Sequence, residues 1–187
     1  MRRIPPVVFE HFRAPRNERV LRPADAVGEI EGRFEDSRIR LYLRETRRGL
    51  RAGFSLEGDR SAVAALSLLT SRLNGASRAE AEAWTIESLA ASYGLDEELY
   101  PMLLPALDAL AAALADLRGE PNPFAADGEQ LCHCLNVRRG RLLRLARERD
   151  LRSLEAVRHW TGACSGCRSC RQEVEELLAE LWGRGSA

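Results

Sequence analysis

All five cysteines of the chain fall in one stretch, Leu131 to Arg171. It opens Leu131-Cys132-His133-Cys134-Leu135 and closes Cys164-Ser165-Gly166-Cys167-Arg168-Ser169-Cys170-Arg171. Thiolates this closely spaced are soft ligands whose sulfurs can converge on one centre, which suits zinc, copper(I) or an iron-sulfur cluster rather than magnesium or calcium. Cys132 and Cys134 flank one residue, so both side chains can leave an extended turn in the same direction. Cys167 and Cys170 are three apart, one helical turn, and their sulfurs can share a face. Two such pairs supply four ligands, a count that four-thiolate zinc also meets. Cys164, Cys167 and Cys170 repeat part of a bacterial 4Fe-4S pattern but lack the cysteine-proline that completes it. A disulfide framework fits less well, because the count is odd and no secretory signal precedes it.

The surroundings of these cysteines have their own logic. Gly162 and Gly166 let the second loop bend close to the sulfurs and point amide hydrogens at them. Val174, Leu177, Leu178 and Leu181 recur at helical spacing, which places the last cysteine pair at a helix N-terminus, where the dipole favours negative charge. Arg138, Arg139, Arg168 and Arg171 lie close in sequence and can offset an anionic centre. Between the cysteine pairs, Arg138 to Arg149 and Leu151 to Trp160 read as two short helices, with Leu142, Leu145 and Ala146 facing inward on one and Leu154, Val157 and Trp160 on the other. Their arginine-rich exterior raises a second class of reading, a helix-turn-helix nucleic-acid binder in which Arg138, Arg139, Arg141, Arg144 and Arg147 meet phosphates. The interspersed Glu148, Asp150 and Glu155 favour a solvated face instead.

Cys132-x-Cys134, a basic helical stretch, and then Thr161-Gly162-Ala163-Cys164-Ser165-Gly166-Cys167-Arg168-Ser169-Cys170 resemble the bacterioferritin-associated ferredoxin-like (BFD-like) 2Fe-2S domain, which also occurs in the middle of NifU-type proteins. The resemblance implies a 2Fe-2S cofactor held by Cys132, Cys134, Cys167 and Cys170. Cys164 departs from the family, which usually has glycine there, and the family pattern gives it no ligand role.

The rest of the chain must be read for what could carry such a module. With 187 residues, 45% of them hydrophobic and 30% charged, it has room for a medium domain and a small one. Val7-Val8-Phe9-Glu10-His11-Phe12 is a short helix candidate stopped by Pro15. Ile39, Leu41 and Leu43 alternate with Arg38, Arg40, Tyr42 and Arg44, the period of a half-buried strand, and Ala52, Phe54 and Leu56 repeat it after Arg48-Gly49, so a hairpin is expected. From Ser61 the period turns helical through Val63, Leu66, Leu69 and Leu73, ending at Gly75. Helices should fill most of Arg78 to Leu117, including the alanine-rich run from Ala106. The expected fold class is α+β: a small antiparallel sheet covered by helices, followed by a small all-α helix-turn-helix domain. Pro121, Pro123, Gly119 and Gly128 interrupt any period, so the expected boundaries are a domain over 1–118, a linker over 119–129 and the cysteine domain over 130–187.

This first part is similar to the U-type iron-sulfur scaffold domain found at the start of NifU, through His11-Phe12-Arg13-Ala14-Pro15-Arg16-Asn17, the strands and the helix opening Ser61-Ala62-Val63-Ala64. Where that family has its three cluster cysteines, this chain has Phe34, Asp59 and Pro101, and Tyr100 stands in place of a histidine. Asp36 occupies the family's aspartate position, and Glu97-Glu98-Leu99 stands where the family has a chaperone-recognition segment. The likeness therefore implies the scaffold fold without the ligands to build a cluster. A hard oxygen site from Asp36, Asp59 and Tyr100 is a minor alternative, and His11 reads as a turn or packing residue rather than a ligand.

Every basic residue is arginine, and 28 of them balance 28 acids. Net charge therefore selects no partner. Met1-Arg2-Arg3 is followed by too few apolar residues for a signal peptide or membrane span, which makes a cytoplasmic location without membrane contact the default. No acid-base or nucleophilic constellation is evident, so a non-enzymatic role is expected. The resemblances imply an electron carrier or accessory factor in iron-sulfur cluster assembly or iron handling. The expected partners are an iron-sulfur biogenesis or redox protein, with a cysteine desulfurase named by family analogy, and a second copy of the chain as homodimer; nucleic acid is disfavoured. The competing reading is a zinc-stabilised protein-interaction module.

Overall fold

The computed structural model describes residues 4–32, 34 and 36–183. The opening Met1-Arg2-Arg3 lies outside the described residues. The chain divides into two units, Met1–Ala125 and Ala126–Ala187.

The N-terminal unit is built on a three-stranded antiparallel sheet in the order β1-β2-β3 (Ala26–Glu31, Arg38–Thr46 and Gly49–Glu57). Ile39, Leu41 and Leu43 of β2 point into the core and are at most 2% exposed, as the alternation required. Arg38, Arg40 and Arg44 turn outward, and Arg40 reaches Glu29 and Glu57 on the two neighbouring strands. Tyr42 departs from the expected solvent face. It is buried, and its hydroxyl sits 3.0 Å from that of Ser55. Thr46 pairs with Gly49 across a two-residue turn, where Gly49 adopts φ +99, a conformation that excludes most side chains.

Helices cover this sheet. α1 (Pro6–Arg13) packs on α2 (Val63–Leu73), whose Val63, Leu66, Leu69 and Leu73 are fully buried. Then α3 (Arg78–Glu82) and α4 (Ile86–Ala91) follow, each opened by a reciprocal capping box, Ser77 with Glu80 and Thr85 with Ser88. A short 3-10 turn, Glu97–Leu99, leads into α5 (Tyr100–Leu117). Glu97–Leu117 is long and apolar enough to cross a membrane by length and composition, yet half of its apolar window is buried within the fold. The reason is the alanine run, which lets α5 lie directly on β1. A Cβ on Gly28 would stand 2.2 Å from the Ala109 carbonyl oxygen and 2.4 Å from the Ala113 nitrogen. Asp116 of α5 accepts the Val27 amide at 2.7 Å, which fixes the register of helix on strand.

The C-terminal unit opens with a two-stranded ribbon, β4 (Gln130–Cys132) with β5 (Val137–Arg138), an addition to the expected helices. Then come α6 (Arg139–Arg149), α7 (Leu154–Thr161) and α8 (Arg171–Trp182). Leu142, Val157, Val174 and Leu177 form its small core, each no more than 1% exposed. The stretch expected as a linker is tied at both ends. Asn122 donates to the Glu29 carbonyl at 2.6 Å within the first unit. Asp127, buried in the second, accepts from Arg144 and from the Gly140 amide at 2.7 Å.

Candidate metal centre

The ribbon and the loop between α7 and α8 carry the cysteines, and each thiol owes its position to a local cause. Cys132 ends β4 with its side chain buried, and Cys134 follows in the turn, half exposed. Gly162 closes α7 in the left-handed conformation at φ 72, and Ser165 returns its hydroxyl to the Gly162 carbonyl, which folds the loop back on itself. This brings Cys164 in, buried, two residues after the helix cap. Cys167 stands exposed at the loop tip. Cys170 is the N-cap of α8 and is buried, its carbonyl accepting the Val174 amide. The expected helix N-terminus is therefore present at Cys170, whereas Cys167 stands outside the helix and does not share a face with it, its sulfur meeting Cys134 instead.

The thiols from the two loops meet. Cys134 and Cys167, the exposed pair, are 3.0 Å apart at sulfur. Cys170 lies 3.4 Å from Cys164 at sulfur, and Cys132 is near enough to Cys170 for the two thiols to shift one another. The four cysteines singled out by resemblance thus stand as two pairs, one wet and one dry, with Cys164 added to the dry one. Among the described residues, no group of three His, Cys, Asp or Glu side chains converges as a single-ion site. A pairwise donor set of four thiols suits a two-iron centre, which takes four cysteine thiolates.

Electrostatics differ between the pairs. Burial pushes the Cys132, Cys164 and Cys170 thiols above their ordinary range. Backbone amides work in the opposite direction: those of Leu135 and Cys164 favour the anionic form of Cys132, and that of Cys164 also the anionic form of Cys170. At the exposed pair, Cys167 accepts hydrogen bonds from the Cys134 thiol, the Ser169 hydroxyl and the Ser169 amide, which lower it to about 7. Donating that bond is what raises Cys134. Burial therefore favours the protonated form of the three dry thiols.

The expectation drawn from sequence proximity holds for Arg171, which feels the charge of Cys164, while others of these arginines pair elsewhere. Arg138 donates to the Gly128 carbonyl, Arg139 pairs with Glu180 and Arg171 with Glu175. Arg158 of α7, which sequence distance had hidden, also acts on Cys164 and favours its thiolate. Ser169 was also missed, although its place between Cys167 and Cys170 is the kind of signal that betrays a donor to sulfur. Several arginines of the basic face are engaged within the unit, while Arg147 is exposed. Arg139 and Arg144 are paired with carboxylates, Arg149 lies 4.3 Å over the Trp160 ring, and the Nε and Nη2 atoms of Arg141 are buried.

The scaffold-like positions of the first unit hold no comparable set. Asp59 caps Ser61 through its amide and hydroxyl, Phe34 is 57% exposed, and Asp36 occupies an exposed turn at φ 61. Tyr100 and Pro101 begin α5 and are half-buried. His11 is buried, with Nδ1 2.7 Å from the Ser67 hydroxyl, and burial, followed by Arg16, holds it below its usual range. It is a packing residue.

Comparison with known proteins agrees with this geometry. Residues 5–122 match the NifU-like N terminal domain, and residues 130–180 match the BFD-like 2Fe-2S binding domain. The nitrogen fixation protein NifU of Azospirillum brasilense is 31% identical over 96% of this chain and 60% of its own length. NifU of Azotobacter chroococcum mcd 1 is 30% identical over 92% and 58%, and that of Trichormus azollae 27% over 93% and 62%. The chain thus spans about three-fifths of the length of these relatives. Thiols paired from two loops in one unit, and a cysteine-free sheet-and-helix unit before it, are the two halves of one conclusion: the chain belongs to the NifU-like N-terminal domain family and carries a BFD-like 2Fe-2S-binding domain after it.

Proposed function

We propose that Cys132, Cys134, Cys167 and Cys170 hold the 2Fe-2S cluster and that the protein serves iron-sulfur cluster assembly in the cytoplasm as an electron carrier or accessory factor, not as an enzyme. The observation that carries this reading is the meeting of the Cys132/Cys134 loop with the Cys167/Cys170 loop, with sulfurs 3.0 Å apart at the exposed pair. When bound, a 2Fe-2S centre supplies a one-electron couple. The protein's part is to hold and tune it. The α8 N-terminus and the amides of Leu135, Cys164 and Ser169 favour anionic sulfur, Cys132 and Cys170 keep one side dry, and Cys134 and Cys167 leave the other open to a partner.

The N-terminal unit has no thiol, so we read it as the docking part for an iron-sulfur biogenesis partner, with a cysteine desulfurase as the first to test. Iron and acid-labile sulfide analysis of anaerobically purified protein, with an EPR spectrum after reduction, tests the cofactor assignment. Two irons and two sulfides per chain are expected. Zinc without sulfide would replace this reading with a zinc-stabilised interaction module.

A further inference from the structure

Cys164 is the one thiol of the five that the proposed ligand set leaves over, and it is placed as a ligand would be. It is buried, and its sulfur lies 3.4 Å from that of Cys170. Its backbone sits at φ 62, a left-handed conformation that glycine adopts freely and a side chain adopts only under strain. The fold bears that strain and gains a sulfur inside the dry half of the centre. The Cys164 amide favours the anionic form of both Cys132 and Cys170, which places this residue beside the dry pair.

We propose that Cys164 is a reserve cluster ligand that takes the place of Cys170. The proposal rests on the ligand set given under Proposed function. In the exchange the bond from iron to the Cys170 sulfur breaks and one to the Cys164 sulfur forms. The proton leaving Cys164 passes to the freed Cys170 across their direct contact. No electron is transferred and the net charge is unchanged, so no oxidant or reductant is needed.

The test uses the full chain purified anaerobically, as wild type, C164A, C170A and C164A/C170A. Alanine at 164 keeps the same backbone strain as cysteine, so any difference reports the thiol. C164A should match the wild type in iron and sulfide content. C170A should retain most of both, with a shifted visible and EPR spectrum, and the double variant should retain almost none. A C170A protein as empty as the double variant overturns the proposal. Should C170A fail to fold, the rate of cluster loss to an iron chelator decides: C164A should lose its cluster several-fold faster than the wild type, and equal rates overturn the proposal. A wild type that holds zinc and no sulfide is a separate result, which removes the 2Fe-2S reading itself.

Discussion

The N-terminal unit completely buries Phe54, Leu66, Leu69, Leu89 and Leu103, whereas in the C-terminal unit the large side chains so enclosed are Leu142 and Leu177, among the described residues. Three of the other buried groups there are thiols, Cys132, Cys164 and Cys170. One unit is thus held by apolar packing of helices on a sheet. The other has too little apolar mass for its size, and metal-sulfur bonds must supply what burial does not. The contrast teaches that cysteines can be absent from the first unit without loss of its fold, while in the second, on the proposed ligand set, they would be structural as well as functional.

The largest expected effect separates the units directly. Cys132→Ala should abolish the cluster and unfold the C-terminal unit, with the emission of Trp160 and Trp182 moving to that of exposed indole, while the N-terminal unit still melts cooperatively. An unchanged melting profile in a cluster-free variant would show the two units to be built alike. The reverse experiment is Gly28→Val, which drives a side chain into the α5 backbone. It should destabilise the N-terminal unit by at least ~3 kcal/mol in urea and leave the visible absorption of the cluster unaltered.

A smaller effect probes what holds the C-terminal unit besides metal. Asp127→Ala leaves Arg144 without its buried carboxylate, and should cost about 2 kcal/mol in urea unfolding of the cluster-loaded protein. No measurable change would assign the unit's stability to the cluster alone. The smallest effect belongs to His11. Its folded value lies below the unfolded 6.5, so the unfolded chain binds more protons and stability falls as pH drops below 6.5. In the wild type the unfolding free energy of the N-terminal unit should decline over that window, by no more than about 1.4 kcal/mol per pH unit, and His11→Gln should flatten the decline. A slope that survives the substitution belongs to another group.

The sequence disclosed the periodic elements best. Ile39, Leu41 and Leu43 announced β2, and Val63, Leu66, Leu69 and Leu73 announced α2, because each had several apolar residues at one spacing. β1 escaped because one of its three inward positions is Gly28, whose burial depends on Ala109 and Ala113, residues on a helix far along the chain. At the candidate centre, spacing and family pattern singled out four cysteines, and the loops bring them together. What stayed hidden was every relation set by loop path: the left-handed turn that brings Cys164 onto Cys170, the reach of Arg158, and the carboxylates that occupy Arg139 and Arg171.

The unequal wetting of the two sulfur pairs also decides how the protein ages. Once the cluster is gone, Cys167 combines exposure with the one lowered thiol of the set, so peroxide encounters a nucleophile there before it reaches anything behind it. Damage in air should begin at that sulfur as sulfenic acid, with Cys134 beside it ready to condense, and the sheltered thiols would be the last to record the exposure.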